Sequence, residues 1–504
     1  MTGLLLLLPV LLPLAGAALA LLVRGSVRAQ RGVNVATAFL MLGGSIALLA
    51  EVWASGPVAV QLGSWEAPVG ITFVADLLSA ALVVITGIIG AAVAVYAIGG
   101  LDEERQRAGF HPLFLVLLMG VNGAFLTGDL FNLYVWFEVL LISSFALLGL
   151  GADKEQLRGT VPYVAINLVG SLCFLTGVGL MYGLAGTLNM ADLALRLPEL
   201  PAGPVTAVAM LFLVAFGLKA AVFPLFAWLP PSYPTAPTPI AAAFAGLLTK
   251  VGVYALLRTF TLLFTADVGF THTLLLWIAG ATMLTGVLGA AAQKDIRRIL
   301  SYHIVSQIGY MIMGLALFTP LAIVGAVFYV LHHILVKTNL FLVGGIVDRV
   351  GGSQVLAETG GIYRHAPWLA ALFVVPAFSL AGFPPLSGFW AKLLLVKAGL
   401  DAGAYVIVGV SIVVSVLTLY SMTKIWAQAF WTPHPTAEGL PSPSSRPLWP
   451  LVVPAVGLAV GTVAIGLGAE AVLQIAEVAG AQLLDPAPYV EAVLGPEAVA
   501  SRPP

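Results

Sequence analysis

Charge is what this 504-residue chain has least of: Asp, Glu, Lys and Arg make up 9% of it, against 60% hydrophobic residues, and the mean hydropathy is +1.03. A water-soluble domain does not have that balance. The net charge of -1 leaves no basic surplus for nucleic acid. The single cysteine, Cys173, excludes a disulfide framework and a cysteine-based metal or iron–sulfur site, and it falls in an apolar run as a core residue. No Gly-rich phosphate loop follows a strand. His332 and His333 are adjacent, but neighbours on a helix diverge and no third ligand stands nearby, so neither a metal nor any bound cofactor is expected.

What is there is a succession of apolar runs of roughly 20 residues, each long enough to cross about 30 Å of hydrocarbon. The fold class is an all-α polytopic membrane protein with about 14 transmembrane helices. The spans are expected at 3–23, 33–52, 72–99, 110–128, 130–151, 160–184, 204–228, 237–260, 270–291, 296–318, 321–346, 366–397, 404–430 and 449–475. Residues 1–23 resemble a signal peptide but lack its basic start; Arg24, Arg28 and Arg31 follow the apolar run instead, as in an uncleaved helix. With the N-terminus outside, most loop Lys and Arg residues fall on the inner side, among them Arg105, Arg107, Lys154, Arg158, Lys294, Arg297, Arg298, Arg349, Arg364 and Arg446. The positive-inside rule therefore puts both termini outside. Between spans two and three, Gly63 and Gly70 in a loosely alternating stretch suggest a short hairpin or covered loop. Residues 432–447, rich in Pro and Ser, read as an inner linker before a last span, and the mildly acidic tail after 476 suggests no chemistry.

Two of the spans should break. Pro224 in FPLFAW interrupts span seven, and Pro384 and Pro385 in FPPLSGFW interrupt span twelve, because proline lacks an N–H and clashes with the preceding turn. Backbone groups freed at membrane depth must be satisfied by protein or water. The breaks lie five spans apart, so they enter the membrane from opposite sides, as in inverted five-helix repeats. This divides the chain into 1–109 (spans one to three), 110–260 (first repeat, spans four to eight), 261–431 (second, inverted repeat, spans nine to thirteen) and 432–504 (linker, span fourteen and tail).

Ionisable residues nevertheless lie within the spans: Glu138, Lys219, Lys250, His303, His332, His333, Lys337 and Lys392. A charge at the bilayer centre costs roughly 2.5–3.5 kcal/mol on insertion scales, so these groups must face inward, pair, or lose charge. Spacing supports an inward face. His303, Ser306, Gln307 and Tyr310 recur at i, i+3, i+4, i+7 on span ten, and Lys250, Tyr254 and Arg258 at i, i+4, i+8 run from mid-membrane towards the outer surface. His333 and Lys337 are four apart, while His332 points about 100° away towards another neighbour. Lysine's ordinary pKa near 10.4 falls when the ammonium is desolvated or set beside positive charge, which arginine cannot match. Two charges about 7 Å apart at an effective dielectric near 20 interact by roughly 2.4 kcal/mol, more than the about 1.36 kcal/mol of one pKa unit, so protonating one site changes its neighbour. Lys424 and Lys397 sit at span ends and read as snorkelling, and Asp76 and Asp129 as carboxylates stabilised by solvent or a helix N-terminus, with Asp129 near the mouth of a path.

The runs TGDLFNLYVWFEVLLISSFALLG, FGLKAAVFPLFAWLPPSYPTAPTPIAA, QKDIRRILSYHIVSQIGYMIMG, HHILVKTNLFLVGGI and FSLAGFPPLSGFWAKLLL resemble the proton-translocating antiporter-like subunits shared by respiratory complex I and the multisubunit Mrp cation/proton antiporters. The resemblance covers about residues 70–430. Phe-Asn-Leu-Tyr before Glu138, His303-Ile304-Val305-Ser306 and the Lys-Thr-Asn after the paired histidines are most similar to the D-subunit branch of the Mrp group. The resemblance implies two five-helix inverted repeats with helices seven and twelve broken. It also implies that Glu138 pairs with Lys219 and tunes it, that Lys250 is the central relay, that His332, His333 and Lys337 continue the route and that Lys392 is its terminal site. His303 matches the Mrp form and so belongs to a path particular to that branch.

The function expected is proton translocation by one subunit of a hetero-oligomeric Na+/H+ antiporter in a bacterial cytoplasmic membrane, with other membrane subunits, protons, Na+ and the lipid bilayer as partners. This is secondary transport, not enzyme catalysis. The alternative is a proton-pumping membrane subunit of a redox enzyme such as complex I or a membrane-bound hydrogenase. The scarcity of mid-membrane carboxylates leans against a dedicated Na+ site, since hard cations take oxygen ligands.

Overall fold

The structure, a computed structural model, describes residues 2–435 and 447–500; residues 436–446 of the expected linker lie outside the described residues. Thirteen helices among the described residues are long and apolar enough to cross a membrane. They are α1 (Gly3–Leu22), α2 (Val27–Ser55), α3 (Leu77–Gly100), α4 (Glu103–Leu126), α5 (Leu130–Leu148), α6 (Lys154–Ala185), α7 (Ala202–Thr235), α8 (Thr238–Leu262), α9 (Val268–Ala292), α10 (Ile296–Leu317), α11 (Pro320–Gly351), α13 (Tyr405–Trp431) and α14 (Trp449–Leu467). The expected twelfth span, α12, is two short helices, Pro367–Ala381 and Ser387–Asp401, joined through Pro384 and Pro385. With it the expected fourteen crossings are complete.

Some boundaries move for local reasons. Thr72–Ala75, expected to open span three, is instead a strand, β2, paired antiparallel with β1 (Val58–Gln61) with Gln61 opposite Thr72. Extended geometry suits Thr72, Phe73 and Val74, and Asp76 then caps α3 by accepting from Ser79 N at 2.9 Å. This is the hairpin the glycines suggested. Span two starts earlier than expected, at Val27, because Ser26 caps it by accepting from Ala29 N. Span fourteen stops at Leu467 rather than near 475. The tail beyond it is not featureless: it folds as α15 (Ala469–Leu484) and α16 (Ala487–Leu494).

The helices sort by depth. α8, α10 and α11 are buried almost throughout, whereas α1, α2, α6, α9 and α13 are buried over less than half of their length and present Leu172, Trp277 and Val416 outward, the pattern expected of helices facing lipid. Lys250, His303, His332, His333 and Lys337 therefore ride on the most enclosed helices, where a polar group need not meet hydrocarbon. Cys173, on α6, is half-buried against the core. Two glycines set critical approaches. A Cβ on Gly252 of α8 would lie 2.5 Å from Ala220 N, and one on Gly286 of α9 would lie 2.3 Å from Ser306 N, so only glycine lets these helices meet there.

α1 begins against β1, with Gly3 beside Val60, and the tail reaches the same hairpin through Gln61 Nε2 donating to Val493 O at 3.5 Å. Both ends of the chain thus lie at one face of the bundle, called the terminal face below.

A buried row of ionisable side chains

Broken helix α7 supplies the first lysine. Its regular part stops at Ala220, and Ala221 takes a left-handed conformation with φ 61°. The freed groups are met by protein: Trp228 Nε1 donates to Leu218 O at 3.0 Å, Phe223 N–H donates to Thr282 Oγ1 at 2.9 Å, and Val222 N–H donates to Gly217 O at 2.9 Å. Pro224 itself is exposed. Lys219, buried just before the break, turns away from its own helix and donates to Asn167 O on α6 at 3.5 Å. Glu138 is near enough for its charge to act on Lys219, but the expected direct pairing is not seen. Glu138 Oε1 is buried with no hydrogen-bond partner.

Lys250 is fully buried on α8. The residues before it, Phe244–Leu248, form a π-type turn, which loosens the regular ladder, and Lys250 Nζ donates back to Ala245 O at 2.6 Å. Gly252, two residues further, lies against the end of α7 at Lys219 and Ala220, so the two lysine-bearing helices meet there through close backbone packing. From Lys250 the row continues by proximity. The charge of Lys250 acts on Lys337, and His333 lies within electrostatic reach of Lys250, Lys337, His332 and Lys392. His333 is the hub of the row. Lys337 Nζ, both ring nitrogens of His333 and the Asn339 side-chain amide are buried with no hydrogen-bond partner.

His332 does face a different neighbour, as its angle on the helix required: Nδ1 meets Ser387 Oγ of α12 at 3.2 Å. Ser387 in turn meets Ser379 Oγ at 2.9 Å across the α12 break. There Ala381 ends the first half, Gly382 has φ 93°, and Lys392, on the second half, reaches back to donate to Ala381 O at 3.0 Å and to Ser415 Oγ at 3.1 Å. Its Nζ also sits 4.8 Å above the Tyr310 ring. Tyr310 stacks on Tyr329 at 5.2 Å, and Tyr329 stands edge-on to His332 at 5.1 Å. An aromatic bridge thus connects Lys392 to the histidines.

The polar stripe of α10 is wholly buried, as its spacing implied. Tyr329 donates to Gln307 Oε1, and Gln307 Nε2 donates to Thr418 Oγ1 at 3.5 Å. Both ring nitrogens of His303 lack partners, and the charges of Lys337, Lys392 and Lys424 reach it. Lys424 does more than snorkel: it donates to Ala291 O at 2.8 Å and Gln293 O at 2.7 Å, closing the C-terminus of α9.

Sequence reasoning missed Tyr329, Ser415, Ser387 and Asn167. Tyr329 was within reach, since it stands three and four residues before His332 and His333 on one face of α11. Ser415, Ser387 and Asn167 carry no signal until the helices are packed. Asp76 is stabilised by the N-terminus of α3, one of the two expected means, and it also forms a buried ion pair with Arg258, the two side chains 1% and 3% exposed. Burial alone would push the Asp76 carboxyl up, but Arg258 and the Ser79 donors hold it below the usual carboxylate range. The Lys250–Tyr254–Arg258 stripe is also closed at its end, with Tyr254 OH committed to Phe125 O at 2.8 Å. Asp129 sits at the terminal face as the cap of α5, accepting from Asn132 N at 2.8 Å, and burial pushes it up to about 6. Among the described residues no group of three or more His, Cys, Asp or Glu side chains is placed to hold a metal ion.

Enclosed helices, two breaks at membrane depth and a connected row of lysines and histidines define a class of membrane protein built to conduct small charged species through its interior. Residues 127–418, more than half of the chain, match the family described as NADH:quinone oxidoreductase/Mrp antiporter, TM, and the chain belongs to that family. It is 46% identical over 491 residues to the D subunit of the Na(+)/H(+) antiporter of Alkalihalophilus pseudofirmus, covering 97% of this chain and 99% of that protein. It is 40% identical over 488 residues to the protein of the same name in Bacillus subtilis, covering 97% and 98%. Among solved structures, a chain of the Mrp complex from Dietzia sp. DQ12-45-1b superposes with a TM-score of 0.91 at 35% identity, covering 98% of this chain and 99% of that one. A chain of the archaeal membrane-bound sulfane sulfur reductase does so with a TM-score of 0.89 at 26% identity, covering 97% and 100%.

Proposed function

We propose that this chain is the proton-carrying subunit of a multisubunit Na+/H+ antiporter in a bacterial cytoplasmic membrane, and that inward proton movement along the Lys219-to-Lys392 row drives cation export. The observation that carries the reading is the connection through His333, which lies within electrostatic reach of Lys250, Lys337, His332 and Lys392, with Lys337 also within reach of Lys250. The identity of the relatives as D subunits of Na(+)/H(+) antiporters supports the same reading, and other membrane subunits complete the complex. Buried groups with unused hydrogen-bonding capacity, such as Lys337 Nζ and the His333 ring, would exchange protons with one another and with bridging water. Lys250 is the central relay, His332, His333 and Lys337 continue the route, Lys392 is its terminal site and His303 serves a side branch. Glu138 tunes Lys219 through space. Transport is secondary and needs no bound cofactor.

The division into 1–109, 110–260, 261–431 and 432–504, with the middle two as inverted repeats, belongs to this proposal and is supported by the two breaks. The terminal face is the external one, supported by the basic residues collected at the other face.

The test is sodium-driven proton exchange in vesicles holding the assembled complex. Sodium should collapse an imposed proton gradient without any redox substrate, and Glu138→Ala and Lys219→Ala in assembled complex should abolish the response. A response that appears only with an electron donor would transfer the chain to a redox-driven pump; one structural relative, at 26% identity, comes from an archaeal respiratory membrane complex.

A further inference from the structure

The stripe Lys250, Tyr254, Arg258 climbs α8 from the centre of the row to the terminal face, one turn at a time. Left open, it would let a proton leave Lys250 directly across the membrane and bypass Lys337, the histidines and Lys392. Its two outer side chains are held in place by other groups. Tyr254 OH is committed to Phe125 O. Arg258 is held by Asp76, and a guanidinium keeps its proton in proteins and offers no acceptor. The Arg258 guanidinium carbon lies 5.5 Å from the Tyr254 ring centroid on one side and 5.1 Å from that of Tyr489 on the other.

Tyr489 belongs to α16, the part of the tail that composition suggested was without chemistry. It is 3% exposed, and a Cβ on Gly128, at the turn between α4 and α5, would come within 3.2 Å of its hydroxyl. The tail is fastened around it. Gln482 accepts from Leu77 N at 2.9 Å at the start of α3, and Gln61 holds Val493 O. A surface tail does not need a buried tyrosine on a buried ion pair, whereas a cap over a polar column does.

We propose that Asp76, Arg258 and Tyr489 form a proton seal: the C-terminal tail closes the terminal-face end of the Lys250 column and so confines protons to the lateral row. The inference rests on the reading of that row as a proton route. It makes these three residues determinants of coupling between proton and cation movement, distinct from the groups that carry the proton.

Passive proton permeability of vesicles holding the assembled complex, measured without sodium, tests it. Tyr489→Ala, and separately Asp76→Ala with Arg258→Ala, which leaves no lone buried charge, should each raise the leak several-fold, while Tyr489→Phe should match wild type. Adding Lys250→Met to Tyr489→Ala should return the leak to the wild-type level. A wild-type leak in both assembled opened variants, or a leak that survives Lys250→Met, overturns the seal. If wild type exchanges no protons for sodium, the antiport reading fails instead, and the leak comparison still reads the seal.

Discussion

In α7 the helix stops at Ala220, and Leu218 O accepts both from Ala221 N at 3.1 Å and from the Trp228 indole at 3.0 Å; in α12 it stops at Ala381, whose carbonyl accepts at 3.0 Å from Lys392 itself. The backbone problem is the same in both places, a proline-interrupted span with unpaired groups at membrane depth. The solutions differ in what they tie together. An indole N–H does not titrate, so the α7 break is held whatever the state of Lys219, which is free to respond to Glu138. At α12 the group that holds the break is also an ionisable member of the row. Its protonation and the fit between the two half-helices are therefore linked, and Ser379, Ser387 and His332 connect the break to α11 by hydrogen bonds. The lysine on α7 lies beside its joint, and the lysine on α12 is part of the joint.

The sharpest way to break that contrast is to remove each lysine in turn. Lys392→Met should both stop transport and destabilise the protein, since Ala381 O loses its donor, at a cost of about 1–3 kcal/mol for a buried unpaired group. Lys219→Met should stop transport at little cost in stability. Thermal unfolding of the detergent-solubilised variants beside their flux reads the difference, and equal losses of stability would erase it. Next in size, Gly252→Val should push α8 off the end of α7, where a Cβ already meets Ala220 N at 2.5 Å, costing about 1–3 kcal/mol by overpacking and slowing transport. Trp228→Phe removes one of the two donors to Leu218 O and should cost about 1–1.5 kcal/mol without moving the pH dependence of flux, whereas a conservative change at the α12 joint, Lys392→Arg, should move it. The smallest effect belongs to Thr282→Val, which takes away the acceptor for Phe223 N–H on the exposed side of the break and should cost about 1 kcal/mol, visible only as a lower unfolding temperature.

The proline breaks and the intramembrane lysines were legible in the chain because each violates a strong local rule: proline cannot continue a helix, and charge does not sit in hydrocarbon. The burial of the α10 stripe was legible from spacing alone. What could not be read was anything that depends on a partner far along the chain. Lys392 finds Tyr310 and Ser415 only after α10, α12 and α13 pack, and Lys219 finds Asn167 rather than Glu138 because α6 brings a carbonyl within reach. The tail misled for the same reason. Residues 485–494 are bland in composition, and Tyr489 acquires its place only from Asp76 and Arg258, more than two hundred residues away.

The central claim is that the row carries protons, and the most direct measurement is sodium-dependent proton flux through vesicles holding the assembled complex with Lys250→Met or Lys337→Met, beside wild type. Both variants remove a buried lysine amino group at the centre of the row and leave the two breaks intact. The account predicts complexes that assemble normally and carry no sodium-dependent flux. Wild-type flux through either assembled variant would contradict it, because the proton would then be crossing elsewhere.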